Sequence, residues 1–160
     1  MTNKDDTKPI LVPVDFSVHA ETALVCAAEL AEKLDSSLVI LHVVHDPGDA
    51  PGYYSVKGRG KQLRRMEDVA AEMLAEFLEK MQKKHPGLTA LVHATTMLVV
   101  GLPINRILEA AEKAHASMIV MASQGRTGLA HVLLGSKAEQ VVRLAPIPVM
   151  IVKGGKKHKS

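Results

Sequence analysis

The chain has no tryptophan, two tyrosines, two phenylalanines and a single cysteine among 160 residues. So few aromatics leave no stacking platform of the kind that single-stranded nucleic-acid modules use. Cys26 alone cannot close an internal disulfide, which excludes a cystine-stapled secreted scaffold. No Cys/His spacing matches a structural zinc site. No apolar run approaches the roughly 18 residues of a membrane span. The first nine residues carry Lys4, Asp5, Asp6 and Lys8 where a signal sequence would be apolar. A cytoplasmic protein is therefore expected. Two phosphate-binding fingerprints are also missing: there is no GxGxxG at the first strand–helix junction and no GxxxxGK[ST] anywhere.

What the chain has is aliphatic residues, which dominate an apolar fraction of 47%. Its length suits one domain with a substantial core. Residues 10–14 and 38–44 are apolar at nearly every position, as strands covered on both faces are. Between them Ser17 is placed to cap a helix whose inner face is Ala20, Leu24, Ala27, Ala28, Ala31 and Leu34. Residues 45–60 contain Pro47, Gly48, Pro51, Gly52, Gly58 and Gly60 and read as a loop, in which Tyr53 and Tyr54 suit surface packing or a ligand contact. Met66, Val69, Ala70, Met73, Leu74, Phe77, Leu78 and Met81 then recur at helical steps, with the methionines as core filler. A strand is predicted over 88–96 and a helix from Pro103 with Ile104, Ile107, Leu108 and Ala111 inward. A strand over 117–122, a helix over 136–145 and a last strand over 147–152 complete the chain. Strand and helix alternating four times before a fifth strand predict an α/β fold: an open, doubly wound, five-stranded parallel sheet with helices on both faces. The domain is expected to span 10–152, between a flexible N-terminal segment (1–9) and a basic flexible tail (153–160).

The formal charge of +3 is misleading at face value. Lys153, Lys156, Lys157 and Lys159 lie in the tail, and without residues 153–160 the chain holds 16 basic residues against 17 acidic. A second basic run, Lys57, Arg59, Lys61, Arg64 and Arg65, is either a steering patch for an anion or a solvated helix entrance. No DNA- or RNA-reading motif accompanies it, so a nucleic-acid partner is not expected.

In doubly wound sheets ligands collect beyond the carboxyl ends of the strands, where strand order reverses. Three segments should meet there: Pro13-Val14-Asp15, residues 43–46 and residues 122–135. Val14 and Val43 can line a slot for a flat group such as adenine, with Asp15 accepting a hydrogen bond from base or ribose. Ser123, Gln124, Gly125, Arg126, Thr127 and Gly128 form a small, polar, glycine-rich stretch. Gly135 and Ser136 open the last helix, whose free N–H groups and dipole suit a phosphate; Ser136 adds a hydroxyl and Arg126 a charge. A structural alternative stands beside this one: Ser136 with Glu139 fits a capping box, and Gly125 and Gly128 suit turns. No nucleophile–base pair is visible. Cys26 falls among helix alanines, His93 reads as a partly buried strand residue, and His42 and His45 diverge along a strand rather than share a metal.

At the glycine-rich stretch the chain resembles the universal stress protein family in its single-domain, UspA-like form. The resemblance is carried by Ile10-Leu11-Val12-Pro13-Val14-Asp15, Leu41-His42-Val43, Gly101-Leu102-Pro103 with Ile107, and Pro148-Val149-Met150-Ile151-Val152. Most specific is Ile119-Val120-Met121-Ala122-Ser123-Gln124-Gly125-Arg126-Thr127-Gly128-Leu129, followed by Leu133-Leu134-Gly135-Ser136. Nucleotide-binding members share Gly, two residues, Gly, nine residues, then Gly and Ser or Thr. Gly125 and Gly135-Ser136 match; the first position is Ala122, whose methyl group narrows the space near ribose or phosphates. The resemblance implies an adenine nucleotide alpha-hydrolase-like sheet of order 3-2-1-4-5 and a bound adenine nucleotide, ATP foremost. Asp15 and Val43 would meet the adenosine and Gly125, Gly135 and Ser136 the phosphates, with Mg or Mn carried on them; Pro13, Val14, Ala122, Ser123, Arg126 and Gly128 would complete the nucleotide site. It further implies a homodimer through strand 147–152 and a stress-response role exercised through nucleotide-dependent conformation or partner binding, with at most slow hydrolysis. The alternative is a nucleotide-independent dimeric stress or signalling interaction protein, which the departure at Ala122 favours.

Overall fold

The computed structural model describes residues 7–45, 59–125 and 134–154, with the backbone alone for 59–65. Expectations that fall on Tyr53, Tyr54, Lys57, Arg126, Thr127, Gly128 and the tail beyond Gly154 lie outside the described residues. The elements run β1 (Ile10–Pro13), α1 (Val18–Leu34), β2 (Leu38–His45), α2 (Arg59–Lys84), α3 (Thr89–Val92), β3 (Thr95–Gly101), α4 (Pro103–Lys113), β4 (Met118–Ala122), α5 (Ser136–Leu144) and β5 (Val149–Val152). The five strands form one parallel sheet of order β3-β2-β1-β4-β5. This is the doubly wound architecture and the strand order expected from the sequence.

Alternation along each strand divides the core in two. Ile10, Val12, Leu38, Ile40 and Val120 face one side, where Ala20, Leu24, Ala27, Ala28 and Ala31 of α1 and Leu74, Phe77 and Met81 of α2 cover them. Leu11, Val39, Leu41, Ile119 and Met121 face the other, under Ile107, Ala110 and Ala111 of α4 and Ala138 and Val141 of α5. The alanines of α1 are what let that helix lie close to the sheet. A near-continuous apolar strand is thus read by two different helix layers, which is why β1, β2 and β4 show no polar alternation.

Three expectations are corrected. The segment 88–96 is not a strand: Thr89–Val92 form a helical turn, and β3 follows at Thr95–Gly101, paired with β2 from Val39↔Thr95 to His45↔Gly101. The turn is held from α1, where the Glu32 carboxylate accepts from Ala90 N–H (3.1 Å) and Thr89 Oγ1 (3.0 Å). His93 accordingly is an exposed residue at the end of α3 rather than a partly buried strand residue. On the helices, Leu34 is 53% exposed and Met66, Val69 and Met73 look outward too, so Met81 alone of these three α2 methionines is buried.

Between α1 and α2, Glu21 accepts from Lys80 and lies 3.4 Å from Lys84. Burial works to raise its carboxyl pKa, but the hydrogen bond and charge of Lys80, then of Lys84, hold it below the ordinary value. Two outcomes follow. Leu24→Ala, at a fully buried site, should lower unfolding free energy by about 2–5 kcal/mol in urea titrations, whereas Leu34→Ala should stay within about 0.5 kcal/mol; equal losses would contradict the burial pattern. A depressed folded-state pKa contributes stability above the unfolded value, near 4.5, that disappears as pH falls through the folded value. Glu21→Gln should therefore lower the urea midpoint at pH 7 and leave it close to that of the unsubstituted protein near pH 3.

Candidate functional site

β1 is the strand at which the sheet changes direction, since β2 lies on one side and β4 on the other. Chains leaving its carboxyl end must depart between those neighbours, which opens a crevice. Val14 N–H donates to the Leu41 carbonyl (2.8 Å), so the strand continues one residue past Pro13 before turning. Asp15 then closes the turn: its Oδ1 accepts from Ser17 N–H (3.0 Å) and Ser17 Oγ (2.5 Å). Ser17 Oγ in turn accepts from Ala20 N–H (3.1 Å) and caps α1, as its position in the sequence predicts.

Phe16, between them, holds φ at +64°, a conformation uncommon for a bulky side chain. Its ring lies 4.2 Å from that of His42 and 5.6 Å, edge-on, from Phe77. His42 Nδ1 lies 2.7 Å from the Val14 carbonyl, an acceptor, which places the proton on Nδ1. The strained turn is thus held from below by a ring stack, and from the side by an imidazole bonded to β1. Strain of this kind persists where surrounding contacts over-determine it. In the sequence His42 reads as a strand residue that diverges from His45, and Phe16 carries no signal. The Leu41-His42-Val43 run signalled a strand, but a ring contact across 26 positions has no local signature.

Opposite, β4 ends at Ala122. Ser123 is buried; its N–H donates to the Val152 carbonyl (3.0 Å), and its carbonyl accepts from Gly135 N–H (2.6 Å). This bond brings the start of α5 onto the end of β4. The approach is tight: a Cβ at Gly135 would lie 3.2 Å from the Ser123 oxygen, and one at Gly125 would lie 3.3 Å from Asp15 Oδ2. Gly135 is the N-cap residue of α5 and makes no side-chain capping bond. The capping box of Ser136 with Glu139 is therefore not formed; Ser136 is the first helical residue, and Glu139 lies 4.0 Å from Arg143. Glu139 N–H donates to the Gly135 carbonyl, so the N–H groups of Ser136, Lys137 and Ala138 ahead of it have no intrahelical acceptor.

These ends enclose a cleft of about 270 Å³. Of the predicted site residues, Pro13, Val14, Asp15, Val43, Ala122, Ser123, Gly125, Gly135 and Ser136 all line it. Arg126 and Gly128 lie outside the described residues. Residues not singled out from the sequence also contribute: His42, Pro103 and Ile107, Met121, and Lys137 in the first turn of α5. Its lining combines apolar side chains, the Asp15 carboxylate and the N-terminus of α5. Such a cleft can take a flat, partly apolar group with an anionic extension. Among the described residues no group of three or more His, Cys, Asp or Glu is arranged to hold a metal, and no helix is long and apolar enough to cross a membrane.

The universal stress protein family model matches residues 6–153. A universal stress protein of Methanocaldococcus jannaschii, MJ0531, is 33% identical over 151 residues, covering 94% of this chain and 85% of its own. The structure of UspA from Lactobacillus plantarum superposes with a TM-score of 0.76 at 25% identity, covering 91% of this chain and 97% of that one. A universal stress protein from Archaeoglobus fulgidus solved in complex with dAMP shares the fold, with a TM-score of 0.63, 24% identity, and coverage of 91% and 97%. With the family's pattern spanning almost its entire length and the family's sheet order in its structure, this chain belongs to the universal stress protein family.

Proposed function

We propose that the protein binds an adenine nucleotide, ATP foremost, in the cleft between β1 and β4, and acts in stress response through nucleotide-dependent conformation or partner binding. The observation that carries this reading is the α5 N-terminus. It is left without a side-chain cap, tethered to Ser123, and set at a cleft lined in part by apolar side chains. A phosphate would supply the missing acceptors, and the dipole favours its charge. The adenine ring would lie along Val14 and Val43, with Asp15 accepting from the base or ribose. Arg126 and Gly128 belong to the same proposal through the family pattern. The dAMP held by the Archaeoglobus fulgidus protein supports the choice of adenine as the base.

Ala122 stands where the family pattern has its first glycine. It is half-buried at the end of β4, pairs with Val152, and lines the cleft. The methyl narrows the cleft by one carbon and leaves the Gly125 and Gly135 approaches intact. A divalent ion, Mg or Mn, would take most of its ligands from phosphate oxygens, with Asp15 or Ser136 adding one. Efficient phosphoryl transfer needs an oriented nucleophile as well as bound phosphate, and the described cleft offers no nucleophile–base pair. Hydrolysis, where it occurs, is slow.

We also propose that two copies pair through β5. This strand stands at one edge of the sheet. Pro148 and Val152 carbonyls accept from Ile119 of β4 and Ser123 just after it, so by alternation Val149 and Ile151 direct their backbone groups to the open side. An antiparallel twin would satisfy them.

Mass spectrometry of the purified protein should reveal a co-purifying adenine nucleotide, and calorimetry should detect ATP binding. Neither signal at millimolar ATP would overturn the nucleotide reading and leave the nucleotide-independent interaction protein. Asp15→Asn should weaken ATP binding about tenfold while leaving the α1 cap, which Ser17 supplies, in place; unchanged affinity would remove Asp15 from the site. Ile151→Pro deletes an outward N–H and should convert a dimer to a monomer in light scattering; a persistent dimer would place the contact elsewhere.

A further inference from the structure

Lys137 occupies the second position of α5, where the positive end of the helix dipole disfavours a cation. Glu139, the acidic residue of that turn, is drawn to Arg143 rather than to Lys137. Among the described residues Lys137 has no ion-pair partner, and its side chain is exposed at the mouth of the cleft that it helps to line. A residue that works against its own helix is explained when a third charge stands between the two. Such departures from local preference concentrate at binding sites. The neighbouring Ser136 and Gly135 are set to receive one phosphate through N–H groups and a hydroxyl, both short-range donors. A lysine ammonium, on a four-carbon stem, reaches further and acts as a point charge. It is therefore matched to a phosphate more distant from the ribose than the one seated on the helix.

We propose that Lys137 is a specificity-determining residue that pairs with the outer phosphates of a nucleoside polyphosphate and selects it over the monophosphate. This rests on the adenine nucleotide reading of the cleft. In that site Asp15 would hold the nucleoside end and the α5 amides the inner phosphate, and neither contact distinguishes ATP from AMP. Lys137 does, because only the longer ligand brings charge to it. The structure thus gives this chain a preference encoded one residue beyond the Gly135-Ser136 pair.

The test is calorimetric titration of the full chain with ATP and with AMP, comparing the unsubstituted protein, Lys137→Gln and Lys137→Arg. Lys137→Gln should weaken ATP about fivefold, as expected for a solvent-accessible ion pair, and change AMP by less than about twofold. Lys137→Arg should restore the ATP-to-AMP ratio, and raising salt should erode that ratio in the unsubstituted protein alone or with arginine. Because the charge opposes the dipole, Lys137→Gln without ligand should melt at the same temperature or higher; a purely structural lysine would give a lower one. An ATP-to-AMP ratio unchanged in Lys137→Gln, with both nucleotides still bound, overturns the role of Lys137 and leaves the site reading intact. Failure of the unsubstituted protein to bind either nucleotide overturns both.

Discussion

One backbone hydrogen bond organises the candidate site: Gly135 N–H to the Ser123 carbonyl, at 2.6 Å. It joins the last residue before α5 to the first residue after β4 and so sets the helix terminus over the mouth of the sheet. Ser123 is itself pinned through its N–H to Val152, so β5, β4 and α5 meet at one buried serine. A side chain at Gly135 would press on that carbonyl. Gly135 has an ordinary negative φ, so what glycine offers here is the close approach to Ser123 rather than backbone freedom. If the contact were relaxed, the amides of α5 would drift from the cleft and the Asp15 turn would face no opposing wall.

The facing wall depends on a different kind of constraint. Phe16, at a positive φ, is in contact with the rings of His42 and Phe77, and His42 bonds the carbonyl just before the turn. Through Phe77 this stack reaches into the core shared by α1, α2 and the sheet. The Asp15 side of the cleft is therefore braced by packing, whereas the α5 side is braced by backbone hydrogen bonds. Separating the two supports in this way allows a rigid binding face and an anion-receptive helix end to be assembled from segments more than a hundred residues apart.

Much of the fold was legible because its signals are local. The two-sided apolar runs of β1, β2 and β4 and the alanine face of α1 predict a covered parallel sheet directly. The lining of the candidate cleft was legible where backbone chemistry leaves a residue signature, as at Asp15, Gly125 and Gly135-Ser136. The failures have long-range causes. Residues 89–92 form a helical turn because Glu32, on another helix, accepts from Thr89 and Ala90; that carboxylate, drawn to them, has its pKa lowered by the Ala90 and Thr89 hydrogen bonds. The strand was consequently expected seven residues too early, although Met97-Leu98-Val99-Val100 is the more apolar run. Ser136 was a reasonable capping residue from its spacing to Glu139, but the tether of Gly135 to Ser123 shifts the cap one residue earlier. Leu34 completes a helical stripe in sequence and still faces solvent at the last residue of α1.

The central claim is that the cleft between β1 and β4 receives an adenine nucleotide with its phosphates on the α5 terminus. Backbone amide chemical shifts followed by NMR during an ATP titration test it most directly. The account predicts the largest, saturable shifts at Gly125, Gly135, Ser136 and Lys137, with smaller ones at Asp15 and Val43. His115 and Lys113, at the far end of α4, should stay unmoved. Shifts absent from the α5 terminus, or concentrated at that far end, would contradict it.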